Sequence, residues 1–150
     1  MSAPSQIAVS EDTPGTTPTP VRSLSYSILI GLAALGVLLQ GVWAALFIHE
    51  GQDNNSTWVE VHARGADVTL VLAVLATGVA LARLRSRRDL VIGSVVFTLA
   101  LALEAFLGGL VGDHSTLEVV HFPLAMALLG LAVWLPMRAR APRPAAAAVR

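Results

Sequence analysis

Four long apolar stretches, separated by short polar ones, occupy most of this chain. They run over Leu24–Ile48, about Trp58–Ala82, Leu90–Val111 and about Thr116–Met137. Each is long enough for a helix that crosses a bilayer core, which takes roughly 20 apolar residues. The second stretch carries Arg64 and Asp67 near its start. Those two charges stand three residues apart, a spacing at which they can pair on one helix face. The pattern predicts an all-α chain, an integral membrane antiparallel four-helix bundle over residues 24–137. Residues 1–23, rich in Ser, Thr and Pro, and residues 138–150, with Pro142, Pro144 and an alanine run, are expected to be disordered cytoplasmic tails. A cleaved signal peptide is not expected: the start lacks basic residues, and the first apolar run begins late and is long enough to span.

Composition strengthens the membrane reading. Of the 150 residues, 55% are hydrophobic and 13% charged, where a soluble domain carries roughly a quarter charged; the mean hydropathy is +0.69. Cysteine is absent, which excludes disulfides, thiolate metal sites, iron–sulfur clusters and covalently attached haem. No Gly-rich phosphate loop and no His-Glu-x-x-His zinc helix is present, and nothing in the sequence identifies an enzyme's substrate.

Formal net charge is zero, but the charges are segregated. All ten basic residues are arginines. Arg22 precedes the first stretch; Arg83, Arg85, Arg87 and Arg88 join the second to the third; Arg138, Arg140, Arg143 and Arg150 follow the fourth. Glu50, Asp53, Glu60, Asp113 and Glu118 flank the other two connections. Positive charge inside places both termini and the middle loop in the cytoplasm of a multi-pass cell-membrane protein. Topology accounts for the arginines, so membrane lipids are the expected surroundings and nucleic acid is not an expected partner.

Two segments read almost alike, Ser56-Thr57-Trp58-Val59-Glu60-Val61-His62 and Ser115-Thr116-Leu117-Glu118-Val119-Val120-His121. Both stand where an apolar stretch begins, on the outer side. A weaker match links Leu39-Gln40-Gly41-Val42-Trp43 to Leu103-Glu104-Ala105-Phe106-Leu107. The chain therefore reads as a duplicated helical hairpin whose copies share one sense across the membrane. Thr57-x-x-Glu60 and Ser115-x-x-Glu118 fit capping boxes, which leaves the histidines without an explanation. Two equivalent helices, each offering one imidazole at the same depth, suit a haem iron with two axial histidines. Small residues at that level (Gly41, Ala44, Ala45, Ala63, Gly65, Ala66, Gly108, Gly109) can serve close helix packing or leave a slot for a flat macrocycle.

With Trp58-Val59-Glu60-Val61-His62-Ala63-Arg64 on the second helix and Glu104-Ala105-Phe106-Leu107-Gly108-Gly109-Leu110-Val111 leading to His121, the chain resembles one half of the haem A synthase family. Proteins of that family have eight membrane helices in two similar four-helix bundles. Each bundle has a histidine at the outer end of its second and fourth helices, with haem between them. The resemblance covers about residues 24–137. It implies a haem-binding bundle, and a homo-oligomer if a second site is to be supplied. The family's second helix has an acid three residues before the histidine and an arginine directly after it. Here Glu60 is two before His62 and Arg64 two after, so haem binding is implied more than the family's oxygenating chemistry.

The expected site is thus haem b held by His62 and His121, in electron transfer or haem handling. Arg64 would meet a propionate or pair with Asp67. Glu104, Asp67 and Gln40 form a candidate proton or polar layer, since acids within the membrane are functional candidates. Two other readings stand beside this one. His49, His62, His114 and His121 with Glu50, Asp53 and Asp113 could hold zinc or copper at the outer surface. Alternatively, the bundle could be a cofactor-free accessory subunit of a larger membrane complex.

Overall fold

The computed structural model describes residues 23–49 and 57–141. They form α1 (Leu24–His49), α2 (Thr57–Arg83), α3 (Arg88–Val111) and α4 (Glu118–Arg140), with one 3₁₀ turn, Ser115–Leu117, before α4. All four helices are long and apolar enough to cross a membrane. They agree with the four stretches expected from hydropathy to within a few residues at each end. Arg64 and Asp67 do not interrupt α2, because both side chains lie on its exposed face.

The helices form a ring in which α1 packs on α2, α2 on α3, α3 on α4 and α4 on α1. Buried positions recur at spacings of three and four, as in Ile30, Ala33 and Val37 or Ala73, Ala76 and Ala80. The opposite faces are covered by exposed Leu, Val, Ile and Met. Lipid is as apolar as these side chains, so helix contact in a bilayer depends on close packing instead of hydrophobic exclusion. Alanines on α1, α2 and α4 supply that closeness. At Gly36 a Cβ would collide with the Thr69 side chain. Thr69 satisfies its own hydroxyl by donating to the Gly65 carbonyl at 2.7 Å.

Polar contacts tie the ring at two levels. Tyr26 Oη and Ser94 Oγ meet at 2.8 Å across the interior, between α1 and α3. Thr77 donates to the Ser94 carbonyl at 3.1 Å, so its 2.8 Å contact with Thr98 takes the Thr98 hydroxyl as donor. At the end formed by the α2–α3 turn, Arg87 is 4% exposed. Its Nε and Nη2 donate to the two Asp89 oxygens at 3.2 and 3.1 Å, and Nη2 also donates to the Arg138 carbonyl at 2.9 Å. Arg138 Nε completes the cluster at 2.7 Å from Asp89. Arg87 thereby gives a second donor to a carbonyl in the last turn of α4 that also accepts from the Ala141 N–H at 3.2 Å, while Asp89 stands in the first turn of α3, where a negative charge is favoured.

This clasp explains one departure from the sequence reading. The tail was expected from residue 138, but α4 continues to Arg140, held by Arg138 and Arg87. The rest of the expected tails, residues 1–22 and 142–150, lies outside the described residues. A second departure concerns the caps. Ser115 opens a 3₁₀ turn with no side-chain cap, and α4 begins at Glu118 behind Leu117, again without one. In α2, Glu60 is bonded to Arg64. Residue 56 lies outside the described residues.

Candidate functional site

His62 occupies the second turn of α2 and faces the last third of α1. Its Nδ1 lies 3.2 Å from the Gln40 carbonyl oxygen, which can accept its proton. The Gln40 side chain is also committed to α2. With its oxygen accepting from the Ala66 N–H at 2.8 Å, its NH2 group donates to the His62 carbonyl at 3.0 Å and, when Nδ1 carries no proton, to Nδ1 at 3.0 Å. The Phe47 ring meets the imidazole edge-on, with centroids 5.4 Å apart. Gly65, one turn further along α2, admits the Trp43 ring and the Gln40 amide where a Cβ would collide with both.

His121 stands in the first turn of α4 and faces α3. Its Nδ1 is 3.0 Å from Glu104 Oε1. The approach is too oblique for a hydrogen bond, and neither carboxylate oxygen has another partner among the described residues. Glu104 is 8% exposed, so this carboxyl group and imidazole are each other's main polar neighbour in an apolar setting. Gly108 lies under the ring: a Cβ there would be 3.1 Å from Cε1. Pro123, two residues on, lacks the N–H that would bond the Val119 carbonyl in this first stretch of α4.

The arrangement repeats. In each hairpin the polar residue of the leading helix, Gln40 or Glu104, meets Nδ1 of the histidine on the following helix. These are the same residues that match between the two halves of the sequence. Among the described residues the two imidazoles are not in ring contact with each other. Among the described residues neither Nε2 has a hydrogen-bond partner.

The other expected site residues fall elsewhere. Arg64 follows His62 by two residues, about 200° around the helix, and is 75% exposed. Its Nε donates to Glu60 at 2.8 Å, with Asp67 at 3.9 Å from Nη1. The Arg64–Asp67 pair is therefore present but secondary to Glu60. Asp67 is 70% exposed and does not join Gln40 or Glu104. Those two do not meet each other either; each is taken up by a histidine. Gly41 and Gly109 are exposed with open space before them, while Gly65 and Gly108 are filled by rings. His49 and His114 are exposed at helix ends. Among the described residues no three His, Asp or Glu side chains gather as a metal site; Glu50 and Asp53 lie outside them.

Sequence reasoning missed the pairing of Gln40 with His62 and of Glu104 with His121. The signal was present in the repeat, which placed a polar residue and a histidine in each half. Comparison with protein families, curated proteins and solved structures finds no match.

Proposed function

We propose that this chain is a multi-pass cell-membrane protein that binds b-type haem through His62 and His121, in electron transfer or haem handling. The supporting observation is that each imidazole has a polar group of the neighbouring helix against Nδ1, hydrogen-bonded at His62 and in contact at 3.0 Å without a hydrogen bond at His121, with no partner at Nε2 among the described residues. An imidazole held at one nitrogen presents the other in a fixed direction, which is how iron-ligating histidines are oriented. The Glu104 oxygen against His121 Nδ1 suits a proton there; at His62 the Gln40 backbone carbonyl accepts a proton from Nδ1, while the Gln40 side-chain amide is placed to donate to Nδ1 in the other tautomer. The donor set therefore fits the group, which would supply one-electron chemistry when bound. This chain's part is to hold two ring nitrogens, shield them with the apolar outer ends of four helices, and place a carboxyl group behind one of them.

In this reading the bundle is antiparallel and built from two related hairpins. Gln40 late in α1 meets His62 early in α2, and Asp89 early in α3 meets Arg138 late in α4. Tyr26 and Ser94, each near the start of its helix, are level. The arginine distribution assigns that end, and both termini, to the cytoplasm. Resemblance to one half of the haem A synthase family points the same way. Arg64 is not part of the proposed site, since Glu60 holds it on the opposite face of α2.

The test is to purify the full chain after expression with ample haem. The expected result is a Soret band and about one haem per chain, as two axial histidines imply, lost in both His62→Ala and His121→Ala. A folded wild-type protein without haem would sink the proposal. A cofactor-free subunit is the second reading, favoured by Gly65 and Gly108, whose space is already taken by the Trp43 and His121 rings.

A further inference from the structure

A groove of about 470 Å³ runs along the outer surface between α1 and α2, separate from both histidines. Its volume is within the range of small-molecule sites, roughly 300–1,000 Å³. Leu32, Leu35 and Leu39 of α1 form one wall, and Val68 and Leu72 of α2 the other. Gly36 and Gly65 keep the floor low, each closely approached by a side chain of the opposing helix. From Leu32 to Trp43 the groove rises roughly 16 Å at 1.5 Å per residue, about one leaflet of a 30 Å hydrocarbon core. Its apolar length therefore matches an acyl chain lying along the helices.

The upper end is chemically different. Trp43, Glu60 and Arg64 line it, and Asp67 stands 3.9 Å from the guanidinium. Two carboxylates surround one guanidinium, a local formal charge of minus one. A guanidinium binds phosphate well, but the surplus carboxylate opposes an occupant that brings negative charge alone. A head group that carries a phosphate and an ammonium satisfies both: phosphate on Arg64, ammonium between Glu60 and Asp67. We propose that the α1–α2 groove binds one phospholipid with a phosphoethanolamine head, its chain in the groove and its head at the Glu60–Arg64–Asp67 cluster. Phosphatidylglycerol has the same chain and phosphate without the ammonium, so it meets the surplus negative charge uncompensated. This site stands independently of haem binding.

Native mass spectrometry of the full chain, released from detergent and titrated separately with phosphatidylethanolamine and phosphatidylglycerol, tests this. One phosphatidylethanolamine per chain is expected, at roughly tenfold lower concentration than phosphatidylglycerol, the scale of one favourable charge contact. Arg64→Gln should lose that adduct. Glu60→Gln combined with Asp67→Asn should bring the two lipids to equal binding. Val68→Trp should fill the groove and abolish the adduct, with Leu35→Trp as a second blocking variant if the first loses helicity by circular dichroism. Equal binding of both lipids by the wild type, or binding unaffected by the blocking variants, overturns the proposal. So does a dimer that the blocking variants dissociate, since a second copy would then cover the groove.

Discussion

Gln40 and Glu104 occupy matching places in the two halves of the chain, yet they differ in what they offer an imidazole. Gln40 presents a neutral amide and a carbonyl, both also tied to the α2 backbone. Glu104 presents a carboxyl group with no hydrogen-bond partner among the described residues, only the 3.0 Å contact with His121 Nδ1. Leaving a buried polar atom unsatisfied costs about 1–3 kcal/mol, and this asymmetry makes Glu104 the more sensitive position. Glu104→Leu should lower stability by about 1–3 kcal/mol by removing the polar neighbour of His121 Nδ1. Glu104→Gln, which copies the other hairpin, should cost clearly less. Thermal unfolding in detergent compares them; equal losses would mean that the His121 contact carries no weight. The sequence marked both residues as polar within apolar stretches and both histidines as outer-end candidates. The repeat hinted at their partnership without fixing it, because which faces of α1 and α3 turn inward depends on packing around the whole ring.

At the scale of elements, helix limits followed from apolar length, and the departures lie where tertiary contacts override it. The middle loop's arginines had a sufficient sequence-level explanation in topology, so the special place of Arg87 was not legible. Its burial comes from the short turn Leu84–Arg87, where Arg87 N–H bonds the Leu84 carbonyl at 2.8 Å and the side chain folds under α4. Three groups depend on Asp89: Arg87, Arg138 and, through them, the last turn of α4. Removing one member of a buried ion pair costs up to about 3–5 kcal/mol. Asp89 is partly exposed here, so Asp89→Asn should cost about 1–3 kcal/mol and fray the end of α4. Thermal unfolding, with hydrogen exchange at residues 136–141, checks this. Unchanged stability and unchanged exchange there would show that the clasp is ornamental to α4.

For the whole molecule, orientation is the conclusion that sequence supports most directly and side chains alone cannot supply. Four apolar helices in a ring would serve either way up; the arginine distribution predicts that the arginine-rich end is cytoplasmic. The native chain has no cysteine, so single-cysteine labelling has no background. Arg85→Cys should react with a membrane-impermeant maleimide only from the cytoplasmic side, and Asp113→Cys only from the outside. Reversed labelling would place the histidines at the cytoplasmic face and remove the positive-inside argument. On the proposed reading, a duplicated hairpin of one sense would bring both imidazoles to one end of the bundle.

Low-temperature electron paramagnetic resonance of the oxidised, haem-loaded protein asks most directly whether His62 and His121 act together on one iron. Two imidazole ligands predict a low-spin ferric signal in the wild type and its disappearance in each single alanine variant. A high-spin signal in the wild type, or a low-spin signal that survives either substitution, would contradict ligation by this pair.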